Sequence, residues 1–94
     1  MMSSGLTIHA SQRLAQRGIP MMVIELLQRF GSSMRCGGAE RLFFDKAGRR
    51  RLKAYLGGAR GLRTIEAWLR VYVIVADNGD IVTVAYQQGR FLRP

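Results

Sequence analysis

Apolar residues at helical spacing predict a helix over residues 20–30. Pro20 suits its first turn, and Gly31 ends it. Positions three or four residues apart share one face of a helix, so we expect the apolar set to pack against the core. Met21 and Met22 lie partly outside this face, and we expect one of them at the surface. The apolar set is Ile19, Val23, Leu26, Leu27 and Phe30.

An earlier helix is predicted over residues 8–17, because Thr7 can cap its start and Gly18 stops it. Polar residues four positions apart form a stripe along one side of this helix. They are His9, Arg13 and Arg17.

Beyond Gly31 the pattern changes to that of a hairpin. Residues 32–36 and 40–44 are typical of short strands, and Gly37-Gly38 separates them as a hairpin turn does.

A second hairpin is predicted near the end of the chain. β-branched residues dominate 71–76, as in a buried central strand, and residues 81–86 form its partner. Asn78-Gly79 lies between them and predicts the two-residue turn whose positive φ angles match the strand twist.

A third helix is predicted over residues 46–56, with Asp45 as its cap and Gly57 at its end. Its cations recur at helical spacing on one side, which is either a nucleic-acid-binding surface or a solvated face. The apolar side comprises Leu52, Tyr55 and Leu56. The basic side comprises Lys46, Arg49, Arg50 and Lys53.

Residues 62–69 fit two interpretations. Apolar residues at three- and four-residue spacing favour a helix, whereas alternating apolar residues up to Val71 favour a strand. We favour a short helix that turns into a strand near Arg70. Together the elements predict an α+β fold, a single domain over residues 1–94 with helices packed on a four-stranded antiparallel sheet.

The net charge of the chain indicates which kinds of partner the protein binds. The chain of 94 residues is 48% hydrophobic, which is enough for one core, and it carries 15 Lys and Arg against 6 Asp and Glu. Thirteen of the fifteen cations are Arg, and the formal net charge is +9. Because the guanidinium fork matches phosphate, the bias favours a polyanionic partner. Charge alone leaves RNA, DNA, an acidic protein and an anionic membrane open.

Several other classes are excluded. Cys36 is the only cysteine, so the chain has no internal disulfide and suits a reducing compartment. One His and one Cys cannot supply the ligands of a zinc site, and the Gly pairs lack a phosphate-binding fingerprint. We expect no metal and no cofactor. Met1–Gly5 does not resemble a signal peptide, and the longest apolar stretch is too short to span a bilayer. We therefore expect a cytoplasmic protein without a membrane partner.

Metal-free RNA cleavage would need one group to take the 2′-hydroxyl proton, one to protonate the leaving 5′-oxygen and a cation at the phosphate. An unperturbed histidine changes charge near neutral pH, which makes His9 a candidate for either proton transfer, and Arg13 one turn later can bind phosphate. The alternative is that His9 only bonds a neighbouring group and that Arg13 and Arg17 form a solvated face.

Further candidates lie near the end of the chain. Thr83 and Tyr86 are three apart on one strand and so lie on opposite faces, with the Tyr86 ring expected to be partly packed. Arg90 and Arg93 follow in a basic tail.

The segment His-Ala-Ser-Gln-Arg-Leu-Ala-Gln-Arg-Gly-Ile over residues 9–19 resembles the opening of a family of small bacterial domains of unassigned function. That family is grouped with the Barnase–EndoU–Colicin–RelE-like nucleases and toxins. The final strand, Ile-Val-Thr-Val-Ala-Tyr over 81–86 and followed by Arg90, is similar to the closing strand of the family. Residues 40–51, with their Phe-Phe-Asp-Lys junction, also look like members of it.

The resemblance implies a RelE-like fold, with two N-terminal helices on a twisted antiparallel sheet, and a metal-independent endoribonuclease of the toxin type. Where members often carry His or Arg just after the apolar pair of the final strand, this chain has Tyr86-Gln87, which leaves Tyr86 as the aromatic substitute for the proton donor. The matched positions are His9, Arg13, Arg17 and Thr83.

Two hypotheses follow. In the first, the protein cleaves RNA by 2′-hydroxyl attack: His9 acts as general acid or base, Arg13 grips the phosphate, Arg90 steadies the transition state, and Tyr86 donates a proton or stacks. The residues that hold the RNA are Arg17, Arg49, Arg50, Lys53, Thr83 and Arg93. In the second, a non-catalytic module binds nucleic acid or protein with the same surfaces. An acidic antitoxin protein is compatible with the first hypothesis.

Overall fold

The computed structural model describes Gln12 and residues 18–88. Of the helix predicted over residues 8–17, only Gln12 belongs to the described residues, and the rest of that prediction lies outside them. No helix within the described part of the chain has the length and apolar character that crossing a bilayer requires. In chain order the elements are α1 (Met21–Phe30), β1 (Ser32–Arg35), β2 (Ala39–Phe43), α2 (Lys46–Tyr55), α3 (Ala59–Arg63), a 3₁₀ turn (Glu66–Trp68), β3 (Val71–Ala76) and β4 (Ile81–Tyr86).

The four strands form one antiparallel sheet in the order β1-β2-β3-β4. Two hairpins therefore lie side by side, joined by the pairing of β2 with β3. The predicted α+β class and four-stranded antiparallel sheet are confirmed, and β3 is an interior strand as expected. The strand bounds differ slightly, because β1 ends before Cys36 and β2 begins at Ala39.

The first hairpin has a tight turn at Gly37-Gly38. Both glycines have positive φ, 54° and 83°, and the Cys36 N–H donates to the carbonyl of Ala39 at 2.8 Å. Positive φ at both central residues is the conformation that matches the right-handed twist of the flanking strands. Glycine adopts it without a steric penalty.

The second hairpin is confirmed, but its predicted turn conformation is wrong. Only Gly79 has a positive φ, 92°, while Asn78 does not. The Gly79 N–H donates to the Ala76 carbonyl at 2.9 Å, and the Asn78 side chain accepts from the Asp80 N–H at 2.9 Å. This bond from its own loop stabilises Asn78 at negative φ, so the loop has three residues with glycine in the left-handed position.

The core lies between one face of the sheet and the helices. Val71 and Val73 alternate along β3 toward this face, and α1 adds Ile24 and Leu27 from the other side. A bulge opposite Ile74 and Val75 shifts the register of β4, so that Ile81 and Val84 are both buried although they are three residues apart. The fully buried side chains are Ile24, Leu27, Leu52, Ile81, Val23, Val71, Val73 and Val84.

The predicted core face of α1 is confirmed, with Phe30 packed at its margin. Both Met21 and Met22 are exposed, where only one was expected at the surface. Tyr55 was predicted on the apolar side of α2, but 53% of its surface is exposed. It stands at the end of the helix, where its ring contacts the ring of Phe30 instead of entering the core.

The ambiguous segment, residues 62–69, is not a strand. It contains the last two residues of α3 and the 3₁₀ turn, with Ile65 and Leu69 buried, and the strand β3 begins at Val71. The favoured interpretation, a short helix followed by a strand near Arg70, is therefore confirmed. The Trp68 indole N–H donates to the carbonyl of Gly18 at 3.2 Å while its ring packs against the core.

Candidate nucleic-acid interface

The start of α2 is fixed by its capping residue. The Oδ1 atom of Asp45 accepts a hydrogen bond from the Gly48 N–H at 2.7 Å, as the sequence predicts for an N-cap, and a second from the Ser32 hydroxyl at 2.6 Å. The second bond ties the helix to β1. Asp45 thus sets both where α2 begins and how it lies against the sheet.

The charge of Asp45 is stabilised in this position. Partial burial alone would raise its pKa, but the hydrogen bonds from Ser32 and Gly48 and the positive charge of Arg51 outweigh that effect. The pKa of Asp45 therefore lies below its ordinary value. The Asp45 carboxylate is therefore ionised in the folded protein at neutral pH.

Gly48 allows α2 to approach α1 closely. A Cβ atom at Gly48 would lie 3.2 Å from the carbonyl oxygen of Phe30 and 3.2 Å from Oδ1 of Asp45, which is tighter than ordinary contact. Leu52, one turn further on, is completely buried. This packed side of α2 leaves the opposite side of the helix in solvent.

The solvent side of α2 is basic along its length, and we call it the basic face. Cations three and four residues apart on a helix repel one another, at about 0.2–0.5 kcal/mol for each pair. No member forms a salt bridge with another residue in the range 18–88. A bound polyanion would remove this repulsion. The basic face consists of the exposed residues Lys46, Arg49, Arg50 and Lys53.

A cleft of about 310 Å³ lies at the N-terminal end of the basic face. Lys46 and Arg49 of α2 line it, together with Gln87, the residue that follows β4. The Arg49 guanidinium also donates to the carbonyl of Phe44 at 3.4 Å, which holds it at the rim. Phe43, Phe44 and Asp45 complete the lining. Two cations thus stand at one open hollow, as recognition of a phosphate requires, beside the Asp45 carboxylate that Ser32 and Gly48 hold.

The end of β4 is attached to the start of β3 at this cleft. The Gln87 N–H donates to the carbonyl of Arg70 at 2.7 Å, and the Arg70 guanidinium donates to the carbonyl of Gln87 at 3.4 Å. Tyr86, immediately before Gln87, packs its half-buried side chain against the core. Tyr86 is therefore next in sequence to a cleft residue but points to the helix side of the sheet.

A second cleft, of about 200 Å³, lies at the other end of the basic face. Lys53 of α2 and Arg63 of α3 line it together with Glu66. Arg60 is also exposed on α3. The positive surface therefore continues from α2 onto α3, which the sequence pattern did not reveal because residues 59–63 were not read as a basic helix.

The site residues predicted from the sequence separate into four groups. Arg49, Arg50 and Lys53 share the basic face, while Thr83 pairs with Ile74 on the sheet face opposite the core. Tyr86 lies on the core face of the same strand. The other candidates lie outside the described residues: His9, Arg13, Arg17, Arg90 and Arg93.

Arg29 and Arg51 are cations of the same region that the sequence reasoning missed. Arg51 donates to the carbonyl of Phe30 at 3.1 Å and to the Ser32 hydroxyl at 3.2 Å. Arg29, near the end of α1, lies against the rings of Phe30 and Tyr55. Their role depends on the contact between α1 and α2, which is a tertiary feature without a local sequence signal.

No group of three or more His, Cys, Asp or Glu side chains suited to a metal ion occurs in the part of the chain that the structure describes. No protein-family model, curated protein or solved structure matches the chain.

Proposed function

We propose that the protein is an RNA-binding protein and that its basic face, with the adjoining cleft, receives the RNA backbone. The observation that carries this proposal is the set of four exposed cations of α2 without a carboxylate partner among the described residues. Phosphates spaced along a strand complement such a row, and release of their counterions supplies the affinity.

The binding proposal predicts a local effect of charge removal. The probe is a single-stranded RNA with 2′-O-methyl groups, which cannot be cleaved through its 2′-oxygen. Arg50→Gln should weaken binding severalfold at low salt, while Arg35→Gln should not. Arg35 is a matched control, because it is an exposed arginine that pairs with Asp77 at 3.2 Å near the hairpin turns. Equal losses in the two variants would mean that net charge, not the basic face, determines binding.

We further propose that the protein belongs to the RelE-like toxins and cleaves the bound RNA without a metal. In this reaction the 2′-hydroxyl loses a proton, its oxygen attacks phosphorus, the bond to the 5′-oxygen breaks, and that oxygen gains a proton. His9 takes or gives a proton, and Arg13 and Arg90 stabilise the charged phosphate. Tyr86 donates a proton or stacks on a base. Support comes from the sequence motif of residues 9–19 and from the similarity of the final strand.

The cleavage proposal is tested with unmodified RNA in a chelating buffer. We expect shortened products that end in a 2′,3′-cyclic phosphate, and we expect His9→Ala to abolish them while 2′-O-methyl RNA still binds. Absence of products from the parent protein, or full cleavage by His9→Ala, would contradict the proposed mechanism.

A non-catalytic RNA-binding module is the second candidate. The observation that favours it is the row of Lys and Arg side chains on the basic face, because such groups bind phosphate but stay protonated and are poor general bases. Expression in growing cells separates the two candidates. Growth arrest that His9→Ala relieves supports the toxin-like enzyme, whereas harmless expression of a protein that binds RNA supports the module. Co-purification of a small acidic protein would add an antitoxin-like partner to the first candidate.

A further inference from the structure

Two aromatic rings and one guanidinium meet where the ends of α1 and α2 lie together. The ring centroids of Phe30 and Tyr55 are 4.7 Å apart, with their planes tilted by 37°. The Cζ atom of Arg29 lies 5.2 Å from the first centroid and 5.0 Å from the second. We call these three residues the Tyr55 cluster.

The Tyr55 cluster is open to solvent. Tyr55 exposes 53% of its surface, and Arg29 is exposed as well. The contact between the Arg29 guanidinium and the Tyr55 hydroxyl is long, 3.5 Å, and adds little to the stability of the fold. The part of the Tyr55 ring that Phe30 and Arg29 leave in water can contact a partner with a flat apolar face.

Positive charge borders the ring on the Arg29 side, and a second cation lies on the same helix as the ring. Arg51 is exposed one turn before Tyr55 on α2, and Arg29 borders the ring from α1. Neither cation forms a salt bridge with a residue of the described ranges. The partner with the complementary chemistry therefore combines a flat ring with nearby negative charge, as a nucleotide of RNA does.

The strand form of that RNA follows from geometry. In a duplex the faces of the bases are covered by their neighbours, so an exposed tyrosine cannot stack on an internal base. An unpaired base can leave its neighbours and stack on the ring, while its phosphates contact arginine. We propose that the Tyr55 cluster is a stacking site for an unpaired base and makes the protein selective for single-stranded RNA. The inference rests on the proposed RNA-binding function, because the cluster and the basic face share α2.

The competing explanation is that the Tyr55 cluster only joins the two helices. In that case, removing the ring would lower the thermal stability but would change binding of all RNA forms equally. The selectivity between single-stranded and duplex RNA therefore separates the two explanations.

The experiment measures binding of a short 2′-O-methyl RNA, alone and annealed to its complement, to the full chain. Tyr55→Leu should bind the single strand about tenfold more weakly and the duplex as the parent does. Tyr55→Phe, which keeps the ring, should retain parental affinity for both. Circular dichroism spectra are used to establish that both variants are folded.

Three outcomes would overturn the inference. If Tyr55→Leu keeps parental affinity for the single strand, or loses affinity equally for both forms, stacking is refuted while the RNA-binding function stands. If the parent binds neither RNA at low salt, the proposed function and the stacking site both fail.

Discussion

The Ser32 hydroxyl donates a hydrogen bond of 2.6 Å to the carboxylate of Asp45, thirteen residues further along the chain. The guanidinium of Arg51 donates to the same hydroxyl at 3.2 Å. These two bonds connect the first strand with the cap and the second turn of α2. They hold the helix that carries the basic face at one end of the sheet.

The contribution of Asp45 to the free energy of unfolding should depend on pH. Its pKa is lower in the folded protein, so its contribution is present above the ordinary carboxylate pKa, about 4, and is lost as the pH falls through the folded value. Asparagine caps a helix about as well but has no charge to titrate. The free energy of unfolding of the parent should exceed that of Asp45→Asn at neutral pH, and the difference should vanish in acid. Urea denaturation at both pH values measures it, and a difference independent of pH would contradict the assignment.

Gly48→Ala should destabilise the protein although alanine is the better helix former. The propensity gain is about 1 kcal/mol, but the new methyl would stand 3.2 Å from both the Phe30 carbonyl oxygen and Asp45 Oδ1. Neither atom can move easily, because the first accepts from Arg51 and the second from two donors. We expect chemical denaturation to give a free energy of unfolding roughly 1 kcal/mol lower than that of the parent. An increase in stability would show that the two helices can separate at low cost.

The loop of the second hairpin can be tested by replacing Asn78. Asn78→Gly would be nearly neutral in a two-residue turn with two positive φ angles. In the observed loop, this substitution removes the acceptor of the Asp80 N–H, and glycine gains conformational freedom in the unfolded chain. We therefore expect the free energy of unfolding to fall by about 1 kcal/mol. Gly79→Ala should lower the free energy of unfolding by about 1–2 kcal/mol, because alanine is strained at the φ of 92° that residue 79 adopts. Thermal unfolding that leaves Asn78→Gly unchanged would favour the other turn.

Local patterns were sufficient to predict most of the fold. The cap Asp45, the glycines that end helices, and the β-branched runs act within a few residues, so the sequence alone identifies α1, α2 and both hairpins. The turn at Asn78 and the exposure of Tyr55 depend on hydrogen bonds and contacts made only after folding. Ile24 was missed because α1 contacts both α2 and β2, which makes its buried side wider than the apolar spacing indicates.

The candidate site was only partly predictable. The basic face follows from helical spacing, which is why Arg49, Arg50 and Lys53 were found together. The cleft at Gln87 depends on the ladder that brings the end of β4 to the start of α2, and the contact of Arg29 with Tyr55 depends on how two helices pack. Neither relationship has a signature in the order of residues.

The salt dependence of RNA binding tests the central claim most directly. The affinity of the parent and of a variant with Gln at all four positions of the basic face is measured for a 2′-O-methyl single strand between about 50 and 200 mM salt. Each lost phosphate contact should reduce the slope of log affinity against log salt by about 0.7, so the variant should lose a slope of roughly 3. An unchanged slope in a variant that is still folded would contradict a role for this face in binding RNA.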